Sequence, residues 1–451
     1  MTGNPGQKKI AFGTDGIRGN AEQFPFTDDA VYALGKSIAQ WAHERYGKKP
    51  KILVGGDTRI STPRIQKILC QALVDSDVTV FNADVLPTPA VCHIIFYDKS
   101  FDAGIVISAS HNPFYDNGIK IFDGLRCKLT TEDEKTITKY FETWIDGIGQ
   151  VADLVHAKAI ELPEAREFYC RRIASSFPVD FLRGLKIVID CANGATSFVA
   201  PDIFVQLGAT IYNIAAEPNG TNINANCGSL HPEVLAQAVV ALNAHCGFAF
   251  DGDGDRIIAV NKHGQIKDGD DILALLLSLP AYNQARALVG TIVSNQGLEV
   301  YCQNELGKNF IRANVGDKHV AAELEKNNLV LGGEPSGHII LNDYMKTGDG
   351  IFVALKVLEA MICNDNWDMH TFTKYPQVSI NVPVAQKKDL KEQPFAAILE
   401  KYEQELENKG RLIVRYSGTE SVLRVVVEAV DSARANTIAQ QLADQLKAAL
   451  E

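Results

Sequence analysis

The chain has 451 residues, 46% of them hydrophobic and 22% charged, enough for several domains of ordinary size with cores of their own. Its 44 Lys and Arg against 55 Asp and Glu leave a net charge of −11, which argues against nucleic acid or an anionic membrane as the main partner. Nine cysteines without a CxxC pair, no apolar run of membrane-span length and no apolar core in the opening residues lead to the expectation of a soluble, cytoplasmic protein with reduced thiols.

Residues 10–12 read as a short strand. The turn after it holds Gly13, Gly16 and Gly19, which allow close backbone approach to a ligand, and Arg18, a plausible phosphate contact; a simple surface turn is the competing reading. An amphipathic helix over 28–46, a strand over 51–55, a polar turn with Asp57 and Arg59 and a helix over 62–73 follow. The apolar run Gly104–Ile107 then ends in Ser108-Ala109-Ser110-His111-Asn112-Pro113, and a second apolar run surrounds Lys120. That is strand, polar loop, strand, with Pro113 preventing continuation of a ladder. Ser110, beside His111 and Lys120, is a candidate nucleophile or phosphoryl carrier, against the plainer reading of a hydroxyl that shapes a turn. A helix over 131–144 and the weakly patterned stretch 146–157 close a first domain.

A second unit opens with a helix near 163–175 and a strand over 185–190. It closes with Asp251-Gly252-Asp253-Gly254-Asp255-Arg256 between two apolar runs. Three alternate carboxylates separated by glycines can point at one hard cation such as Mg²⁺; an exposed acidic turn is the rival. An EF-hand is excluded, because Arg256 stands at the turn glycine and Lys262 at the bidentate glutamate. A third unit has a helix near 268–279, a strand over 287–293, and a closing loop Gly333-Glu334-Pro335-Ser336-Gly337-His338. There Glu334 and Ser336 can bond sugar hydroxyls, and His338 is either a proton acceptor or donor near neutral pH or a structural histidine. Strand, polar turn, helix, strand and functional loop thus recur three times, which predicts three related α/β domains whose loops lie at strand carboxyl ends. The last segment alternates differently, with strands around 378–384, 411–416 and 422–428 and a helix over 389–407. Ser417, Gly418 and Thr419, flanked by Arg415 and Arg424, have the ingredients of an anion nest; a hairpin with surface arginines is the alternative.

A serine, a three-carboxylate metal loop, a Glu-Ser-His loop and a separate phosphate nest all suit a hydroxyl-bearing phosphorylated substrate. Taken together these loops resemble those of the α-D-phosphohexomutase superfamily along the whole chain. The Ser108–Pro113 loop resembles its phosphoserine loop, Asp251–Arg256 its metal loop, Gly333–His338 its sugar loop and Arg415–Thr419 its phosphate loop. The resemblance implies four domains around a central cleft, three α/β domains with mixed sheets plus a C-terminal α+β domain. Boundaries are expected at 1–157, 158–256, 257–368 and 369–451. It also implies one Mg²⁺ on Asp251, Asp253, Asp255 and Ser110, phosphorylation of Ser110, a sugar 1,6-bisphosphate as activator, and a contact from Arg256 to the phosphoserine. Lys120, His338, Arg18 and His111 take roles in proton transfer or charge stabilisation, and Glu334, Ser336, Arg415, Ser417, Gly418, Thr419 and Arg424 bind substrate. Phe12–Gly19, Asn222-Ile223-Asn224, Val315-Gly316-Asp317 and Thr347-Gly348-Asp349-Gly350 are most similar to the bacterial branch acting on glucosamine phosphate. Pro335, Tyr416 and Ser421 depart from that branch's usual residues. The expected partner is a small sugar phosphate, the expected assembly a monomer or homodimer. A phosphomannomutase or phosphoglucomutase, a Mg²⁺-dependent phosphatase and a non-catalytic sugar-phosphate binder are the alternatives.

Overall fold

The computed structural model describes residues 9–47, 49–98, 100–125, 127–148, 159–406, 409–417 and 421–450. They fall into two compact units, Met1–Ala285 with Gly316–His370, and Arg286–Val315 with Thr371–Glu451.

In the first unit, strands Lys51–Gly56, Thr79–Val85 and Ala103–Ile107 run parallel, and Asp116–Asp123 returns antiparallel beside the last of them. Ala103–Ile107 is buried at every position, as expected of a strand covered on both faces. Helix Asp28–Tyr46 packs a face of Ala30, Leu34, Ile38 and Trp41 into the same core as Ile52, Val54 and Ile105. A second sheet repeats the order, with Lys186–Asp190, Thr210–Ile214 and Cys246–Phe250 parallel and Ile257–Asn261 antiparallel. Both sheets place the first strand between the second and the third; Thr210–Ile214 is an edge strand, whereas Thr79–Val85 carries the short parallel strand Ile160–Glu161 on its outer side. In both, the loop between third and fourth strands carries the chemistry-bearing residues. The same element order appears a third time along the chain, as the parallel pair Ala287–Thr291 and Asn309–Ala313 and the antiparallel pair Leu331–Gly333 and Ile339–Leu341.

The opening differs from expectation. Residues 10–12 form no strand; Gly13 and Gly16 close a tight bridge, and the strand is Ile17–Asn20, paired antiparallel with Asp116–Asp123. Arg18 therefore sits on a strand opposite Gly118 rather than in a turn. Gly16 has φ +87°, and a Cβ there would stand 2.4 Å from the Ile119 carbonyl oxygen, so the chain can approach that strand only through glycine.

In the second unit, Gln377–Pro383, Val422–Ala429 and Gly410–Tyr416 form an antiparallel sheet with Val422–Ala429 in the middle. Helices Phe395–Leu406 and Ser432–Leu450 bury Tyr402, Leu406, Ile438 and Leu442 against Leu423, Val425 and Val427. The segment 286–315 is tied to this sheet by polar contacts. Arg411 donates to the carbonyls of Ile292 and Ser294, Glu428 accepts from the Gln296 amide at 2.8 Å, and Asn295 and Tyr375 exchange two hydrogen bonds at 2.9 and 3.0 Å.

Candidate active site

Ser110 lies at the tip of the loop between Ala103–Ile107 and Asp116–Asp123, with φ +53°, a backbone state that costs a non-glycine residue energy and must be held by its surroundings. The holding groups are buried. Ser108 Oγ accepts from the Ser110 amide at 2.9 Å and donates to Asp57 at 2.6 Å. Arg59, 1% exposed, pairs with Asp57 at 2.8 Å and spends its other donors on the carbonyls of Ser110, Asn112, Pro113 and Asp116. Asn224, from the second repeat, donates to the Ser110 and Asn112 carbonyls at 2.9 and 3.1 Å. The sequence marked Asp57 and Arg59 only as a polar turn and Asn224 only as part of a motif. An Asp-x-Arg set between two apolar segments is the signal that was available, since charges so placed are paired.

Ser110 Oγ donates to Asp251 at 2.5 Å and stands 3.3 Å from His111 Nδ1. Asp251, Asp253 and Asp255 are buried and bring carboxylate oxygens within 4.8 Å of one another. Burial, then Asp255 and Asp253, push the Asp251 carboxyl well above the usual range, and burial and Asp255 raise Asp253 as well. Asp255 goes the other way: burial would raise it, but Lys120 and His338 hold it well below. Asp253 Oδ1 and Asp255 Oδ1 are buried and accept no hydrogen bond. An unpartnered oxygen on each of two packed carboxylates is costly in an apo protein, so this donor set fits a hard divalent cation.

Lys120, 2% exposed, lies 2.7 Å from Asp15, 2.7 Å from Asp253 and 2.9 Å from Asp255. Burial would lower its pKa, and these three carboxylates more than reverse that, so Lys120 is a fixed cation. Arg18 pairs with Asp15 at 2.5 Å. Burial, with Arg256 and Arg18 nearby, brings the His111 pKa down to about 3, so its imidazole is neutral at pH 7. Arg256 has its amide on Asp251 at 3.1 Å and a buried Nε with no hydrogen-bond partner.

The Glu334–His338 hairpin is bolted to its surroundings by the Gly269 amide on the Pro335 carbonyl and the Ile257 amide on the Gly337 carbonyl, 3.0 and 3.1 Å. Glu334 accepts from the Gly316 amide at 2.9 Å, and Ser336 is exposed at the tip. His338 is not turned outward. Its Nε2 accepts from the Gly348 amide at 3.1 Å and its Nδ1 lies 3.6 Å from Asp255 Oδ1, an arrangement that assigns the proton to Nδ1. In the second unit Arg415 and Arg424 are register partners on adjacent strands, like charges directly opposite, which an anion between them would relieve. Lys387, absent from the sequence expectations, adds a third cation, donating to the Ser417 carbonyl at 3.1 Å. The expectations for Gly418 and Thr419, and the first expected boundary at 157, lie outside the described residues.

The phosphoglucomutase/phosphomannomutase models match alpha/beta/alpha domain I at 9–146, domain II at 167–264, domain III at 268–374 and the C-terminal domain at 380–445. A phosphoglucosamine mutase of Syntrophotalea carbinolica is 41% identical over 450 residues, spanning 98% of each chain. This chain belongs to the phosphohexomutase family. A phosphoglucosamine mutase of Acinetobacter baumannii is 42% identical over 442 residues, 97% of this chain and 98% of its own. Among solved structures, a phosphoglucomutase/phosphomannomutase family protein of Burkholderia thailandensis superposes with TM-score 0.78 at 22% identity, covering 98% of this chain and 97% of its own. The N-acetylphosphoglucosamine mutase of Aspergillus fumigatus, solved with GlcNAc-6P and magnesium, does so with TM-score 0.69 at 18% identity, covering 100% and 97%. The phosphohexomutase fold accounts for three related α/β domains and an α+β C-terminal domain, and the enzyme class is that of an isomerase. No helix among the described residues is long and apolar enough to cross a membrane.

Proposed function

We propose that this phosphohexomutase interconverts glucosamine 6-phosphate and glucosamine 1-phosphate through a phosphoserine at Ser110 and a glucosamine 1,6-bisphosphate, feeding amino-sugar nucleotide synthesis for the envelope in the cytoplasm. The observation that carries the chemistry is Ser110 Oγ, 2.5 Å from Asp251 in a triad with two unpartnered carboxylate oxygens. The substrate reading rests on relatives named phosphoglucosamine mutase at 40–42% identity over 97–98% of the chain. A Mg²⁺ held by Asp251, Asp253 and Asp255 supplies charge neutralisation for the transferring phosphoryl group. Lys120, Arg18 and Arg256 add fixed positive charge, so the dianion moves within a preorganised cationic wall. A sugar hydroxyl attacks phosphoserine phosphorus, the new O–P bond forms as the Oγ–P bond breaks, and the proton the hydroxyl gives up is matched by the one Ser110 Oγ takes up on leaving. In the return step the Ser110 hydroxyl attacks the bisphosphate, the sugar O–P bond breaks and the serine's proton passes to the departing sugar oxygen; His111, with Nδ1 3.3 Å from Oγ, serves only as a transient relay and is neutral between steps. Arg415, Ser417, Arg424 and Lys387 grip the phosphate that is not reacting, with Gly418 and Thr419 expected beside them. Reorientation of the bisphosphate exchanges its two ends. Glu334 and Ser336 orient sugar hydroxyls, and the four-domain division at 157, 256 and 368 belongs to the same reading.

Pro335, in the sugar loop, keeps a phosphoglucomutase or phosphomannomutase as the second reading. A coupled assay with Mg²⁺ and catalytic sugar bisphosphate, comparing glucosamine, glucose and mannose phosphates, decides it. A kcat/KM for the glucosamine ester at least about tenfold above the others, about 1.4 kcal/mol, is the expected result. Preference for another hexose overturns the substrate, and phosphate release without isomer formation overturns the mutase chemistry.

A further inference from the structure

Away from the reacting groups, three helices meet around a buried polar cluster. Tyr169, on helix Ala165–Ala174, donates to Asp349 at 2.9 Å. Tyr344 donates to Asp349 at 3.1 Å, stacks on Phe352 with centroids 3.6 Å apart, and lies 2.9 Å from Nδ1 of His93, on helix Thr88–Tyr97. Burial lowers the His93 pKa to about 3, so one ring proton is present, and His93 Nδ1–H to Tyr344 hydroxyl to Asp349 is the order that satisfies both partners. Asp349 also caps helix Gly350–Asn364 through the Phe352 amide at 3.0 Å.

Both ends of this cluster reach the metal loop. The Gly348 amide bonds His338, which faces Asp255, and the Gly350 amide bonds the Gly254 carbonyl at 3.0 Å. At the other end Thr88, first residue of the His93 helix, donates from Oγ1 to Asp253 Oδ2 at 2.5 Å and from its amide to the Asp253 carbonyl at 2.9 Å. The approach is close enough that a Cβ on Gly348 would stand 2.4 Å from the Asp255 carbonyl oxygen.

We propose that Asp349 is a positioning residue for the metal loop: the hydrogen bonds it collects from Tyr169, Tyr344 and the helix amide fix segment 347–350, which sets His338 against Asp255 and holds the loop backbone through the Gly254 carbonyl. The proposal rests on the reading of Asp251, Asp253 and Asp255 as the cation site. Its role is indirect, since Asp349 touches neither substrate nor cation; groups bonded directly to metal ligands change metal affinity by about 10–100-fold, and the lower end of that range is expected of a residue one contact further out.

The test is direct Mn²⁺ binding to the full chain, read by EPR, independent of turnover. Asp349→Asn and Tyr169→Phe should each raise the Mn²⁺ Kd about tenfold or more. Tyr282→Phe, which removes a buried hydroxyl 3.5 Å from Asp343 outside the cluster, should leave it within twofold. If Asp349→Asn does not fold, Tyr344→Phe keeps the stack on Phe352 and carries the same expectation. Folded variants whose Kd stays within twofold of the unaltered chain overturn the positioning role. Failure of the unaltered chain to bind one Mn²⁺ overturns the cation site itself, and the proposal with it.

Discussion

Lys120 is the side chain on which the charge balance of the site turns. Replacing it by methionine keeps the length and removes the charge, leaving Asp15, Asp253 and Asp255 to face one another in a region where each is screened only by its neighbours. Loss of one member of a buried ionic cluster costs about 3–5 kcal/mol. Lys120→Met should therefore lower metal-free stability at pH 7 by that order in urea unfolding, and added Mg²⁺ should recover part of the loss. His93 and Asp349 make a second prediction. His93, with its pKa lowered from 6.5 to about 3, stays neutral in the folded chain while the unfolded chain takes up a proton, so its contribution falls on acidification below 6.5. Asp349, raised from 3.8 to about 6, binds a proton in the folded chain first, so its contribution rises as pH falls through 6. The two slopes, about 1.4 kcal/mol per pH unit each, oppose one another between 3.8 and about 6. Asp349→Asn removes one of them, and its stability should fall more steeply with acid across that window than that of the unaltered chain, by chemical unfolding at several pH values.

At the scale of elements, the Ser110 loop is a rigid object. Arg59 satisfies carbonyls at four positions of that loop from one planar fork, which a lysine ammonium cannot reproduce. A shift of about 1 Å in the reacting oxygen can cost on the order of 10² in rate. Arg59→Lys should accordingly reduce kcat by about that factor while KM changes little, in steady-state kinetics with saturating bisphosphate. Elements with a clear period were legible in the sequence. Helices Asp28–Tyr46 and Thr131–Trp144 carry one apolar face each, and the fully apolar strand Ala103–Ile107 ends in turn formers. Helix Thr88–Tyr97 was not legible, because every residue from Thr88 to Ile95 is buried and no polar face marks a helical period. The same limit applies within the site. The three alternate carboxylates and Ser110 announce themselves by residue type, whereas Arg59, Asn224 and Lys387 act on backbone carbonyls brought near only by folding. The strand at Ile17–Asn20 escaped because its pattern, Ile-Arg-Gly-Asn, is that of a turn, and the edge of Asp116–Asp123 supplies what the sequence lacks.

The whole molecule is divided unevenly with respect to its repeats. The second unit takes segment 286–315 out of the middle of the third repeat and joins it to the C-terminal sheet. That segment's polar groups are matched there, with Arg411 on the Ile292 carbonyl at 2.9 Å and Glu428 on the Gln296 amide at 2.8 Å. Ending the chain at 370 would leave those groups without partners. Such a truncation should be cut by protease within 286–315 far faster than the full chain, as resolved by mass spectrometry of the fragments. Recombination between related genes meets the same constraint. A crossover near 370 pairs a foreign C-terminal sheet with a native segment 286–315 whose carbonyls and amides were shaped for another Arg411 and Glu428. Exchanges that survive should carry both stretches together, so the half of the third repeat in this unit and the C-terminal domain should share one ancestry, whatever the history of the rest of the chain.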